Sequence, residues 1–196
     1  MKYKGFAFSR AGWQLHMMPA GYLMIEHRLI ERMVRLMATE LTRMRKRNKA
    51  DPGFLGKAVD FIRNYADQCH HGKEEEILFR EMAKKKLDPR HRGRMNQLVR
   101  EHRMGRRSVK RLVAALAVYK GRKIPALRGI KRELKWLAEF YPQHIVKEDK
   151  GFFIPAMSYF TKKEQQRMLL EFCRFDGSSI QKIYRRLIEI MEKKYR

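Results

Sequence analysis

A short signature occurs twice in this chain and constrains the arrangement of most of it. Glu26-His27-Arg28 returns as Glu101-His102-Arg103, 75 residues on, and the His70, Lys73, Glu74 pattern returns as His144, Lys147, Glu148, 74 residues on. Each second segment continues with another acid (Glu75, Asp149) and then an apolar pair (Leu78-Phe79, Phe152-Phe153). Two copies of one such unit predict two similar helix hairpins about a pseudo-two-fold axis.

The hairpins are helical because strand signals are weak and the chain is rich in Leu, Met, Arg, Lys and Glu, all good helix formers. The class is all-α. Pro19, Asp51-Pro52-Gly53, Asp88-Pro89 and Gly121 punctuate the chain, which predicts four long helices over about residues 22–49, 54–86, 91–119 and 125–151. Pro142, without an N–H, is expected to kink the fourth or force a restart. Beyond Pro155, Thr161 and Glu164 form a capping box, and Ser178 starts an amphipathic helix with Ile180, Ile183, Tyr184, Leu187 and Met191 on one face. The expected organisation is an N-terminal segment (1–19), a four-helix bundle (20–155) and a C-terminal helical extension packed on it (156–196).

The apolar stripes run in steps of three and four, and each contains one histidine: His27, His70, His102 and His144. Two also contain a glutamate, Glu74 and Glu148. His70/Glu74 and His71/Glu75 share i,i+4 spacing and so could each lie on one helix face. Matching Lys73-Glu74 to Lys147-Glu148 selects His70 and Glu74 for the core. On an α-helix His71 then lies about 100° round, as a flanking residue.

A carboxylate inside a bundle is costly unless paired or bound to a cation. Four inward imidazoles and two inward carboxylates offer nitrogen and oxygen donors without thiolate, a set that iron, manganese or zinc accepts. Six ligands exceed a tetrahedral zinc site and suit two ions bridged by Glu74 and Glu148. Cys69 reads as packing, and Cys69 with Cys173 cannot make a disulfide framework. His16 and His91 fall outside the repeat and read as surface residues.

The charge raises a second class of function. Lys and Arg number 46 against 21 Asp and Glu, a net +25, which attracts polyanions. The basic residues are spread along the chain, and no helix-turn-helix pattern supports base reading. The alternative is therefore a basic helical nucleic-acid-binding protein with a structural metal site. No run approaches the ~20 apolar residues of a membrane helix, and the broken N-terminal segment does not read as a secretory signal, so the expected location is the cytoplasm. The last helix is expected to cover an open end of the bundle, with a dimer interface as the other reading.

The segments around His27, His70-His71-Gly72-Lys73-Glu74, Glu101-His102-Arg103-Met104-Gly105-Arg106 and His144-Ile145-Val146-Lys147-Glu148 resemble the hemerythrin-like HHE cation-binding family over about residues 20–155. The resemblance implies an up-down four-helix bundle holding two non-haem iron ions on His27, His70, Glu74, His102, His144 and Glu148. It implies binding of O2, NO or peroxide in sensing, storage or redox protection, with weak oxidase or peroxidase chemistry. Arg106 stands where the oxygen carriers of the family have a further histidine, which turns the expectation away from reversible O2 carriage. Tyr141, one step before His144, is either a hydrogen-bond donor to the bound ligand or an ordinary core aromatic. His71, Tyr141 and Arg106 are thus the candidates for residues surrounding the ligands.

Overall fold

The punctuation read from the sequence is what starts the helices. The computed structural model describes residues 18–119, 124–177 and 179–195. Among them all regular structure is helical. Pro19 opens α1 (Pro19–Arg47), which Asn48 ends in a left-handed conformation with φ 47°. Asp51 caps α2 (Pro52–Asp60) by accepting from the Phe54 N–H at 3.0 Å. Asp88 does the same for α4 (Pro89–Val118), accepting from Arg90 N–H at 2.8 Å. In each case proline occupies the first turn, where its missing N–H costs nothing.

Between these helices the chain departs from regular α geometry. α2 runs without a break into two π-helical stretches, Phe61–His71 and Glu74–Phe79, and then into α3 (Arg80–Ala83). The fourth long helix, α5 (Ile124–Gly151), passes through Pro142 as one helix. The expected restart does not occur, since the neighbouring turns hold the segment against α1 and α4. Beyond it come α6 (Phe153–Ala156), a 3-10 turn (Met157–Tyr159), α7 (Lys162–Asp176) and α8 (Ile180–Tyr195). Thr161 and Glu164 form the expected capping box on α7, while Ser178 lies outside the described residues.

Helices α4 and α5 pack together, α1 packs on α5, and the π-helical stretch Phe61–His71 packs on α1 and α4. Two apolar clusters result. One gathers Ile30, Met33, Phe61, Ile62, Leu112, Leu134 and Tyr141, and the other Leu23, Ile77, Leu98, Phe152 and Phe153. In chain order each core histidine falls between a residue of one cluster and a residue of the other: His27 between Leu23 and Ile30, His70 between Ala66 and Ile77, His102 between Leu98 and Val109, and His144 between Tyr141 and Phe152, just past the end of α5. The polar residues therefore form one layer sandwiched between two oily ones.

The C-terminal helices extend both clusters. Met168, Leu169 and Phe172 of α7 join one, and Tyr184, Ile188, Met191 and Tyr195 of α8 join the other. Ile183, expected on that buried face, is 58% exposed. The buried line of α8 passes instead through Tyr184, Ile188 and Met191, in steps of four and three. No described helix is long and apolar enough to cross a membrane.

Candidate metal centre

The repeat brings its four histidines together. His27 and His70 face each other with their Nε2 atoms 2.8 Å apart. Glu148 lies across the layer, with carboxylate oxygens 3.3 Å from His27 Nε2, 3.1 Å from His144 Nε2 and 3.6 Å from His102 Nε2. Glu74 sits opposite, 3.3 Å from both His70 Nε2 and His102 Nε2. All six residues are at most 1% exposed. Both carboxylates thus stand between histidines from different helices.

What holds each ring is a second set of acids at the other nitrogen. Glu26 meets His70 Nδ1 at 2.9 Å, and its repeat partner Glu101 meets His144 Nδ1 at 2.8 Å. Asp149 meets His27 Nδ1 at 2.6 Å, and its repeat partner Glu75 meets His102 Nδ1 at 2.7 Å. Each Nδ1 is thereby committed, and each Nε2 is turned toward the middle of the layer, an arrangement that orients and strengthens imidazole as a ligand. Phe153 stacks on His27 at 5.6 Å and Phe79 on His102 at 6.2 Å, again as repeat partners. The sequence reading named these acids as part of the repeat but gave them no role toward the histidines, although the Glu-His pairs and the acid after each Lys-Glu carried the signal.

His71 departs from the sequence reading. In the π-helical stretch each residue turns through less than the 100° of an α-helix, so His70 and His71 both reach the interior. His71 is 2% exposed and stacks on His102 at 3.9 Å. Its available nitrogen lies within 4.8 Å of those of His102 and His144, while His27, His70, Glu74 and Glu148 form a second such group. The ring approaches from the second helical run toward His102 of α4, on the side of Arg106.

The remaining candidates fall around this layer. Arg106 pairs with Asp67 at 2.7 Å and with Glu75 at 2.8 Å, so it reaches His102 only through Glu75. Tyr141 is buried beside His71, with ring centres 6.5 Å apart. Tyr65 points away and donates to Gln181 at 2.7 Å. Cys69 is buried against Asp176 and Lys73; that group of Glu26, Cys69 and Asp176 could hold a cation, but the Lys73 ammonium already sits among them. His91 is half-buried against Tyr159 at 2.7 Å, and His16 lies outside the described residues.

The electrostatics are those of a cation cage. Burial alone would lower the His70 and His144 imidazoles, but Glu74 with Glu26, and Glu148 with Glu101, raise both to about 10. His71, buried and beside His102, is lowered to about 3 and stays neutral. Burial would raise Glu148, yet His144 and the neighbouring histidines hold it well below the usual carboxylate range. Six buried atoms find no hydrogen-bond partner among the described residues: both oxygens of Glu74, both of Glu148, and Nε2 of His102 and His144. Orphaned polar atoms this deep are rare in native proteins, and here they converge on one place. Donors bound at about 2.1 Å and at right angles stand about 3 Å apart, which the observed spacings match. The residues present fit metal ions.

Fold and donor set together define an all-helical, cation-binding protein. The family model described as the Hemerythrin HHE cation binding domain matches residues 18–154, and the chain belongs to that family. No curated protein and no solved structure matches it.

Proposed function

We propose that this protein holds a carboxylate-bridged pair of non-haem iron ions in an up-down four-helix bundle, with residues 156–196 as a packed extension, and binds O2, NO or peroxide there. The observation that carries the reading is the set of six orphaned donor atoms in a layer where a carboxylate fixes Nδ1 of all four repeat histidines. His27 and His70 would serve one ion and His102, His144 and His71 the other, with Glu74 and Glu148 shared. When bound, such a pair supplies reversible binding of, or two-electron exchange with, a small oxidising ligand.

The chain's own residues set the conditions for that chemistry. The paired acids Glu26, Glu75, Glu101 and Asp149 hold the imidazoles in register, and the apolar clusters on either side exclude water. Tyr141 is placed to offer a hydroxyl proton on the side of His71. His71 restores a histidine where Arg106 removes one, by a route from a different helix.

The test is metal analysis with a visible spectrum on protein purified without air and then exposed to it. About two irons per chain are expected, with charge-transfer bands that appear on oxidation. Glu148→Ala should lose both ions, and His71→Ala should lower iron content toward one. Protein that retains no iron and takes none up would overturn the reading, and unchanged iron and spectrum in His71→Ala would remove His71 from the set.

A further inference from the structure

Beside the metal layer lies a cavity of about 430 Å³ between the Phe61–His71 stretch and helices α4 and α5. His71 and Tyr141, both buried, border it, and Ile62, Val109 and Val113 form apolar walls. A water molecule's share of liquid volume is about 30 Å³, so the space exceeds what a diatomic gas or peroxide needs by roughly tenfold. It falls instead within the range of small-molecule sites.

The polar groups of the cavity say what kind of molecule. Arg63, Arg106 and Lys110 line it, against a single carboxylate, Asp67. Arg106 already pairs with Asp67 and with Glu75 behind it. The exposed side chains of Arg63 and Lys110 make no hydrogen bond or ion pair among the described residues. Tyr141 is only 2% exposed, yet its hydroxyl also makes no hydrogen bond there. The site therefore offers two unpaired cations at the mouth, apolar walls, and one unused donor at depth.

We propose that this cavity binds an organic monoanion with an apolar body, of the size of a medium-chain or aromatic carboxylic acid. The carboxylate lies at Arg63 and Lys110, and the hydrocarbon lies along Ile62, Val109 and Val113 toward Tyr141. Guanidinium pairs well with carboxylate in two-point geometry, and each buried methylene adds to affinity through removal of apolar area from water. The molecule would then sit against His71, at the flank of the metal layer. The inference rests on the cavity itself and stands apart from the identity of the metal.

Octanoate is the probe, titrated calorimetrically into the full-length protein as purified, with 1-octanol and acetate as comparisons. Saturable binding at one site per chain is expected, at least tenfold tighter for octanoate than for octanol and at least a hundredfold tighter than for acetate. The double substitution Arg63→Ala, Lys110→Ala should weaken octanoate at least tenfold and leave octanol unchanged. Removing two cations elsewhere, Arg45→Ala with Lys46→Ala, controls for the general positive charge and should change nothing. Val109→Phe and Val113→Trp narrow the cavity at two points of its apolar wall, and each should abolish binding while circular dichroism stays the same. Octanoate binding no tighter than octanol, insensitive to both narrowing variants, or absent overturns the proposal.

Discussion

Lys73 shows how the two halves of the repeat have diverged at a single side chain. Its ammonium is fully buried, bonding Glu26 at 2.6 Å, Cys69 Sγ at 3.2 Å and Asp176. Its repeat partner Lys147 bonds Glu101 at the same 2.6 Å but remains 32% exposed. The difference is that α7 and α8 bring Asp176 and Gln181 over one half only. Lys73→Ala would take the cation from two buried carboxylates, and breaking a buried pair from one side typically costs about 3–5 kcal/mol. Lys147→Ala, at a wetter pair, should cost about 1 kcal/mol or less. Urea unfolding of both variants checks the contrast, and equal losses would contradict it. Asp176 carries a pH dependence of the same origin. Burial would raise its carboxyl, but Lys73 and the donors around it lower it below 3.8. A lowered acid contributes stability that is complete above its unfolded pKa and lost as pH falls through the folded one. The stability advantage of the native chain over Asp176→Asn should therefore be full at pH 5 and shrink at pH 3; an advantage that grows on acidification would refute the assignment.

At the scale of elements, the helix starts were readable because their chemistry is local. Asp51-Pro52, Asp88-Pro89 and Thr161 with Glu164 each satisfy N–H groups within a few residues, and no distant contact has to be known. Thr161→Ala removes one half of the α7 cap and should lower stability by about 1 kcal/mol, read as a shift in the urea midpoint without change of slope. The π-helical stretches were not readable. Whether a turn closes at i+4 or i+5 depends on what the widened turn buries, and here it buries two adjacent histidines at once. A constant 100° step therefore places His71 on the flank, when it lies against His102 and His144. Ile183 misleads for a related reason. An amphipathic helix offers several apolar residues near the edge of its stripe, and only the surface it meets decides which face inward. The donor layer itself was legible, because one histidine in every apolar stripe, recurring at 74–75 residue spacing, is a pattern that hydrophobic packing alone does not produce. The acids behind it needed the fold, since Glu26 is joined to His70 and Glu101 to His144 across different helices.

For the whole molecule, the two signs of charge are distributed unequally between interior and surface. Eight of the 21 acidic residues are buried: Glu26, Glu40, Glu74, Glu81, Glu101, Glu133, Glu148 and Asp176. Among the described basic residues only Lys73 is buried. Folding thus withdraws negative charge to orient histidines and pair with helices, and leaves the positive charge facing solvent. A polyanion meets a surface on which nearly all the basic side chains reach solvent, and its counterions are released on contact. Binding to duplex DNA of arbitrary sequence is expected at low salt. If about four phosphates are neutralised, the slope of log K against log salt is about −3.6, a loss of roughly a hundredfold between 50 and 200 mM. Because the donor layer is buried, Glu148→Ala should bind DNA as the native chain does, even where the substitution empties the layer of metal. Affinity that follows iron content would instead mean that the metal layer controls the surface. Affinity indifferent to salt would mean that the positive charge serves solvation alone. The experiment needs only a fluorescent duplex at three salt concentrations, with both proteins measured side by side.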